Sequence, residues 1–131
     1  MMTELWKLPG PSSGCAGVEF HQLGGRECLL ICQFALDGSD DFQMTFAGVE
    51  SYKATFYMAC TSQMLEAYDR ISNVGTTPWL EEVSAQLSRS GEDSSGLQHL
   101  MIYFDDGPCY EFICRSFQTA HSRDPAQNRT E

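Results

Sequence analysis

A chain of 131 residues has room for one domain, because single cores fill chains of roughly 100 to 150 residues, and its 42% hydrophobic content can supply such a core without metal or disulfide. Eighteen acidic against eight basic side chains give a net charge of -10; this repels nucleic acid and anionic bilayers and speeds encounter with basic proteins. The longest apolar run, Cys28 to Cys32, is far short of the ~20 residues of a membrane helix, so a soluble, cytoplasmic protein is expected.

Residues 1–14 are rich in Pro, Gly and Ser, carry no hydrophobic period and show no continuous apolar stretch of the signal-peptide kind. They are expected to form a flexible N-terminal arm. A β-hairpin follows: Val18 and Phe20 alternate with Glu19 and His21, Gly24-Gly25 makes the turn, and a second apolar run reaches Leu36. In that run Cys28, Leu30, Cys32, Phe34 and Leu36 share one face, while Leu29 and Ile31 suggest a strand covered on both sides. After the "DGSDD" turn, Phe42, Met44 and Phe46 mark a third strand, and Tyr52, Ala54, Phe56 and Met58 a fourth, joined near Gly48.

The period then changes. Met64, Leu65, Tyr68 and Ile71 fall at helical spacing after Thr61 or Ser62, with Gly75 as terminator. A second helix restarts at Thr77-Pro78, with Glu81 and Glu82 early and Trp79 or Leu80, Val83 and Leu87 facing inward. Residues 88–96 read as a polar loop.

"LMIYFDDGPCYEFICRSF", from Leu100 to Phe117, closes the pattern as an acidic hairpin. A three-residue loop with Gly107 left-handed pairs Phe104 with Pro108, Ile102 with Tyr110, Leu100 with Phe112 and Gln98 with Cys114, making one face apolar. The other face carries His99, Met101 and Tyr103 against Ile113, Glu111 and Cys109. A two-residue turn would scatter the apolar set. The predicted fold is therefore α+β: one domain over 15–120, mainly an antiparallel sheet of about six strands with two consecutive helices on one face, in the order β-β-β-β-α-α-β-β. Residues 121–131 are expected to be a disordered tail.

No complete catalytic or cofactor motif is present. His99 and Glu111 are diagonal neighbours in the predicted register, the one arrangement suited to acid–base work or to the wall of a ligand pocket. No Ser occupies a nucleophile elbow, and no glycine loop has the phosphate-cradling pattern. Asp37, Asp40 and Asp41, and likewise Asp105 and Asp106, lack the alternating spacing of a calcium loop. The six cysteines have no zinc spacing and read as reduced thiols, four of them inside apolar strands. No metal or cofactor is predicted. Tyr52, Tyr57, Tyr68, Tyr103 and Trp79 are too many to be core alone, and aromatics rimmed by acids are interface composition.

"FAGVESYKATFY", "EAYDRISNVGTTPWLEEV" and "HLMIYFDDGPCYEFI", in this order, make the chain resemble the small α+β immunity proteins of bacterial polymorphic and contact-dependent toxin systems. The resemblance implies an acidic, cytosolic, non-enzymatic protein that neutralises a basic toxin domain by surface complementarity. Asp105, Asp106, Glu111 and Tyr103 near the hairpin, with Asp40 and Asp41 on the earlier turn, are the candidate partner-binding residues. A small enzyme or ligand-binding domain using His99 and Glu111 is the alternative, and a self-associating homodimer the third reading.

Overall fold

The computed structural model describes residues 2–124. Among them the chain forms nine strands in two antiparallel sheets. The strands are β1 (Thr3–Lys7), β2 (Gly17–Leu23), β3 (Glu27–Gln33), β4 (Asp41–Ala47), β5 (Ser51–Thr55), β6 (Arg70–Asn73), β7 (Gln98–Tyr103), β8 (Cys109–Cys114) and β9 (Ser116–His121). One sheet has the order β1-β6-β7-β8-β5 and the other β2-β3-β4-β9. The α+β class and antiparallel pairing agree with the sequence; the single six-stranded sheet does not.

The chain passes between the sheets three times, from β1 to β2, from β4 to β5 and from β8 to β9, and the last two crossings lie side by side. Gly48, at φ 64°, carries the chain from β4 to β5 in the other sheet, and Arg115 alone separates β8 from β9. They meet: a Cβ on Gly48 would lie 3.1 Å from the Arg115 side chain, and Arg115 Nη1 donates to the Gly48 carbonyl at 3.3 Å. The same guanidinium pairs with Glu50 at 2.9 Å. Local alternation makes each strand, but the close approach of these two bends decides which strands become neighbours.

The predicted β2–β3 pairing and the β7–β8 register are both present, the latter with Leu100 opposite Phe112 and Ile102 opposite Tyr110. The inner faces of the two sheets bury Cys28, Leu30, Cys32, Met44, Phe46, Ile71, Leu100, Ile102, Phe112 and Cys114. Phe46 and Phe112 stack across the gap with centroids 4.0 Å apart, a contact worth about 1 kcal/mol beyond the area it buries. Leu29 and Ile31, expected to be covered, lie only half-buried on the outer face of the four-stranded sheet.

Several segments differ from their sequence reading. Residues 3–7, assigned to a loose arm, form β1 and pair with β6, setting Trp6 opposite Ile71. Ser12–Gly14 adds a 3-10 turn. The first predicted helix is a single turn, α1 (Ser62–Leu65), after which Asp69 takes φ 58° and the chain enters β6. Ile71 thus belongs to a strand, and its helical spacing from Met64 is coincidental. The second helix, α2 (Pro78–Arg89), forms as predicted: Thr77 caps it by accepting from Leu80 N at 3.3 Å, and Pro78 opens its first turn.

His121, assigned to the tail, ends β9 and stacks on Phe42 at 4.2 Å. The rest of the predicted disordered tail, from 125 onward, lies outside the described residues. Among the described residues no helix is long and apolar enough to cross a membrane.

Candidate functional site

The strands β7 and β8 bring the sequence candidates to two places. At mid-strand on the outer face of the five-stranded sheet, His99 Nε2 lies 2.8 Å from Glu111 Oε1, the pair that the register predicted. Both are nearly sealed, at 4% and 3% exposure. His99 Nδ1 lies 2.9 Å from Thr77 Oγ1. An ionised Glu111 can only accept, so Nε2 donates; Thr77 Oγ1 already accepts from Leu80 N and has its own proton to give to Nδ1.

The order hydroxyl, imidazole, carboxylate is the order that activates nucleophiles. The surroundings here give it a different task. Trp79 sits edge-on to the imidazole at 5.1 Å, and the Lys53 ammonium lies over the Trp79 ring at 4.3 Å. Lys53 is also the cross-strand partner of Glu111. Because α2 offers no fully buried side chain of its own, this relay fastens the start of the helix to the sheet. Among the described residues Glu111 Oε2 is buried without a partner, a cost that the Oε1 contact to His99 has to offset.

At the hairpin tip the situation is reversed. Asp105 and Asp106 are exposed, with Asp106 at φ 61° and Gly107 at φ 70°. Asp105 Oδ1 accepts from the Tyr68 hydroxyl at 3.1 Å, and Asp105 N donates to Ser12 Oγ at 2.8 Å. Ser12 in turn is buried, and its N donates to the Asp69 carboxylate at 2.9 Å. So the segment 8–14 is built into the support of the acidic tip.

Against that tip lies the 3-10 turn Tyr57–Ala59. A Cβ on Gly107 would come within 2.9 Å of Tyr57 N, so only glycine permits this approach. Phe56, Tyr57 and Met58, read as the end of a strand, leave the sheet after Thr55 and stand 74%, 53% and 90% exposed. Three consecutive large apolar side chains in water beside two carboxylates form a patch of the kind that marks interaction sites. Sequence reasoning missed it because alternation in "YKATFYM" continues past the point where pairing stops.

The remaining candidates are engaged internally. Tyr103 is 3% exposed, and burial pushes its phenol pKa up. With Glu111 buried as well, neither can touch a partner in this fold, contrary to their assignment as binding residues. Asp40 holds His121 Nε2 at 2.6 Å, and Asp41 is 9% exposed with its N donating to Ser122 Oγ. Burial, then Glu19, Asp40 and Asp37, push the Asp41 carboxyl up, with His121 opposing. These two aspartates secure the end of β9. Of the six predicted binding residues, only Asp105 and Asp106 lie fully in the open.

Among the described residues, the main surface clefts are lined without His99. One of about 520 Å³ lies between the β2–β3 turn and residues 49–52, and another is lined by Met2, Leu65, Tyr68 and Arg70. No protein-family model, curated protein or solved structure matches this chain.

Proposed function

We propose that this protein is a binding module whose docking surface is the turn Phe56–Met58 together with the acidic tip Asp105–Asp106. The observation that carries the reading is the contact between the two: an apolar anchor and a negative rim held in one place by the Gly107–Tyr57 approach. Apolar centre with charged rim is the anatomy of a specific protein interface. With a net charge of -10, the complementary partner is a basic protein. Neutralisation of a basic toxin domain, the role implied by the resemblance to bacterial immunity proteins, is the biological form of this reading. It is a cytoplasmic, non-enzymatic role.

The alternative, chemistry at Thr77, His99 and Glu111, has the order of groups in its favour. Against it stand the burial of His99 and Glu111 and the helix-capping bond that Thr77 already accepts.

The test is affinity capture from the native host at low and moderate salt, with the wild-type chain beside two variants. One is Phe56→Asp with Met58→Asp; the other is Asp105→Lys with Asp106→Lys. A basic protein held by the wild type and lost from both variants supports the surface, and the charge variant should also slow association and flatten its salt dependence. Retention that neither variant alters would remove this surface from consideration. Co-expression of the captured protein, if it is toxic alone and harmless with the wild-type chain, would establish the immunity role.

A further inference from the structure

The docking turn ends at Cys60, a half-buried thiol that caps the 3-10 turn. Its Sγ lies 3.5 Å from the Thr55 carbonyl oxygen. Thr55 is the direct cross-strand partner of Cys109 on β8, and neighbouring strands run about 4.8 Å apart. Cys60 and Cys109 also belong to the same apolar cluster, with Ala67, Met101 and Tyr103, on the outer face of the five-stranded sheet. Cys109 follows directly on the Gly107-Pro108 end of the acidic tip. One thiol therefore stands at the root of each half of the proposed surface.

We propose that Cys60 and Cys109 are a redox pair whose disulfide fastens the apolar turn to the acidic hairpin and so regulates docking. The regulatory part rests on the function proposed above; the thiol pair does not. The oxidant is a low-molecular-weight disulfide. The Cys60 thiolate attacks one of its sulfurs, forming a mixed disulfide and releasing one small thiol. Cys109 then attacks Cys60 Sγ, forming the protein disulfide and releasing the second. Two electrons pass from the two cysteines to the oxidant, and the two protons leave with the released thiols.

Accessibility sets the order. Cys60 is partly open, whereas Cys109 is fully buried. Burial, with Glu111 and Cys60 adding to it, pushes the Cys109 thiol up, so Cys60 supplies the first thiolate and the scarce Cys109 thiolate sets the pace of the second step. The link would hold Phe56, Tyr57 and Met58 against the tip.

The experiment treats the full chain with oxidised glutathione, alkylates it and maps peptides without reduction. A Cys60–Cys109 linked peptide is expected in the wild type. It should be absent from Cys60→Ser, while Cys109→Ser should retain glutathione on Cys60. Chymotryptic cleavage after Phe56 and Tyr57 should slow several-fold on oxidation of the wild type and recover on reduction. Wild-type Cys60 found only as a glutathione adduct, or linked to another cysteine, would overturn the pair. An unchanged cleavage rate in the linked protein would overturn the fastening. These readouts need no partner, so a linked peptide in a protein whose partner binding ignores Phe56 and Asp105 would sink the docking surface and leave the thiol pair standing.

Discussion

The β7–β8 hairpin carries carboxylates at its tip and at its middle, and the two regions use the same chemistry in opposite ways. At the tip, Asp105 and Asp106 stand in water, where their charge acts outward over about a Debye length, ~8 Å in physiological salt. At mid-strand, Glu111 is sealed against His99, and its charge is spent on holding the fold together. Acidity read from a sequence is therefore no measure of acidic surface. Four residues along a strand separate a steering charge from a structural one.

The comparison breaks most visibly at Glu111. Glu111→Ala leaves His99 buried without its partner and should cost about 3 kcal/mol in urea denaturation, the range for breaking a buried pair. Replacing both at once, His99→Phe with Glu111→Leu, should recover part of that loss, because the buried pair goes together and only the part-buried Thr77 hydroxyl loses an acceptor. A double variant as unstable as the single would show that the imidazole is needed for more than pairing.

Thr77→Val removes both the cap of α2 and the contact to Nδ1 while keeping the shape. A loss of about 1 kcal/mol is expected, with Thr77→Ser close to wild type. If the valine variant were harmless by the same denaturation assay, the relay would not be what fastens the helix.

Asp41 sharpens the comparison from the other sheet, since it is a buried acid without the compensation that Glu111 has in His99. Its carboxyl titrates above the unfolded 3.8 because burial disfavours the charged form. The native state thus holds the proton more tightly, and between 3.8 and the raised native value stability falls as pH rises. Asp41→Asn should be the more stable protein at neutral pH, with the gain shrinking to nothing below 3.8. Thermal melts of both proteins across that range would show it; a gain that persists in acid would have another cause.

The smallest stability effect belongs to the tip. Asp105→Asn with Asp106→Asn should change unfolding by less than about 0.5 kcal/mol, because asparagine tolerates the left-handed backbone at 106, while slowing association with a basic partner. A large loss of stability would mean that the Tyr68 and Ser12 contacts make the tip structural too.

Much of this was legible beforehand. The alternation of Leu100, Ile102 and Phe104 with Tyr110 and Phe112 determined the hairpin register, because a slip of one residue would turn every apolar side chain to the wrong face. That register alone placed His99 beside Glu111. Thr77-Pro78 likewise determined where α2 begins, since capping and a missing N–H are local matters.

Tertiary structure decided the rest. Met64, Leu65, Tyr68 and Ile71 satisfy a helical period, yet β6 exists because "TELWK" near the start of the chain and β7 pair with it on either side, and no local pattern announces such partners. The same is true of the exposure of Phe56 to Met58, of the link from Thr77 to His99, and of the division into two sheets, with its crossings after β1, at Gly48 and at Arg115. The sequence determined what each segment could be and which face it would bury. Which segments meet depends on contacts distant along the chain, and only the folded molecule brings those together.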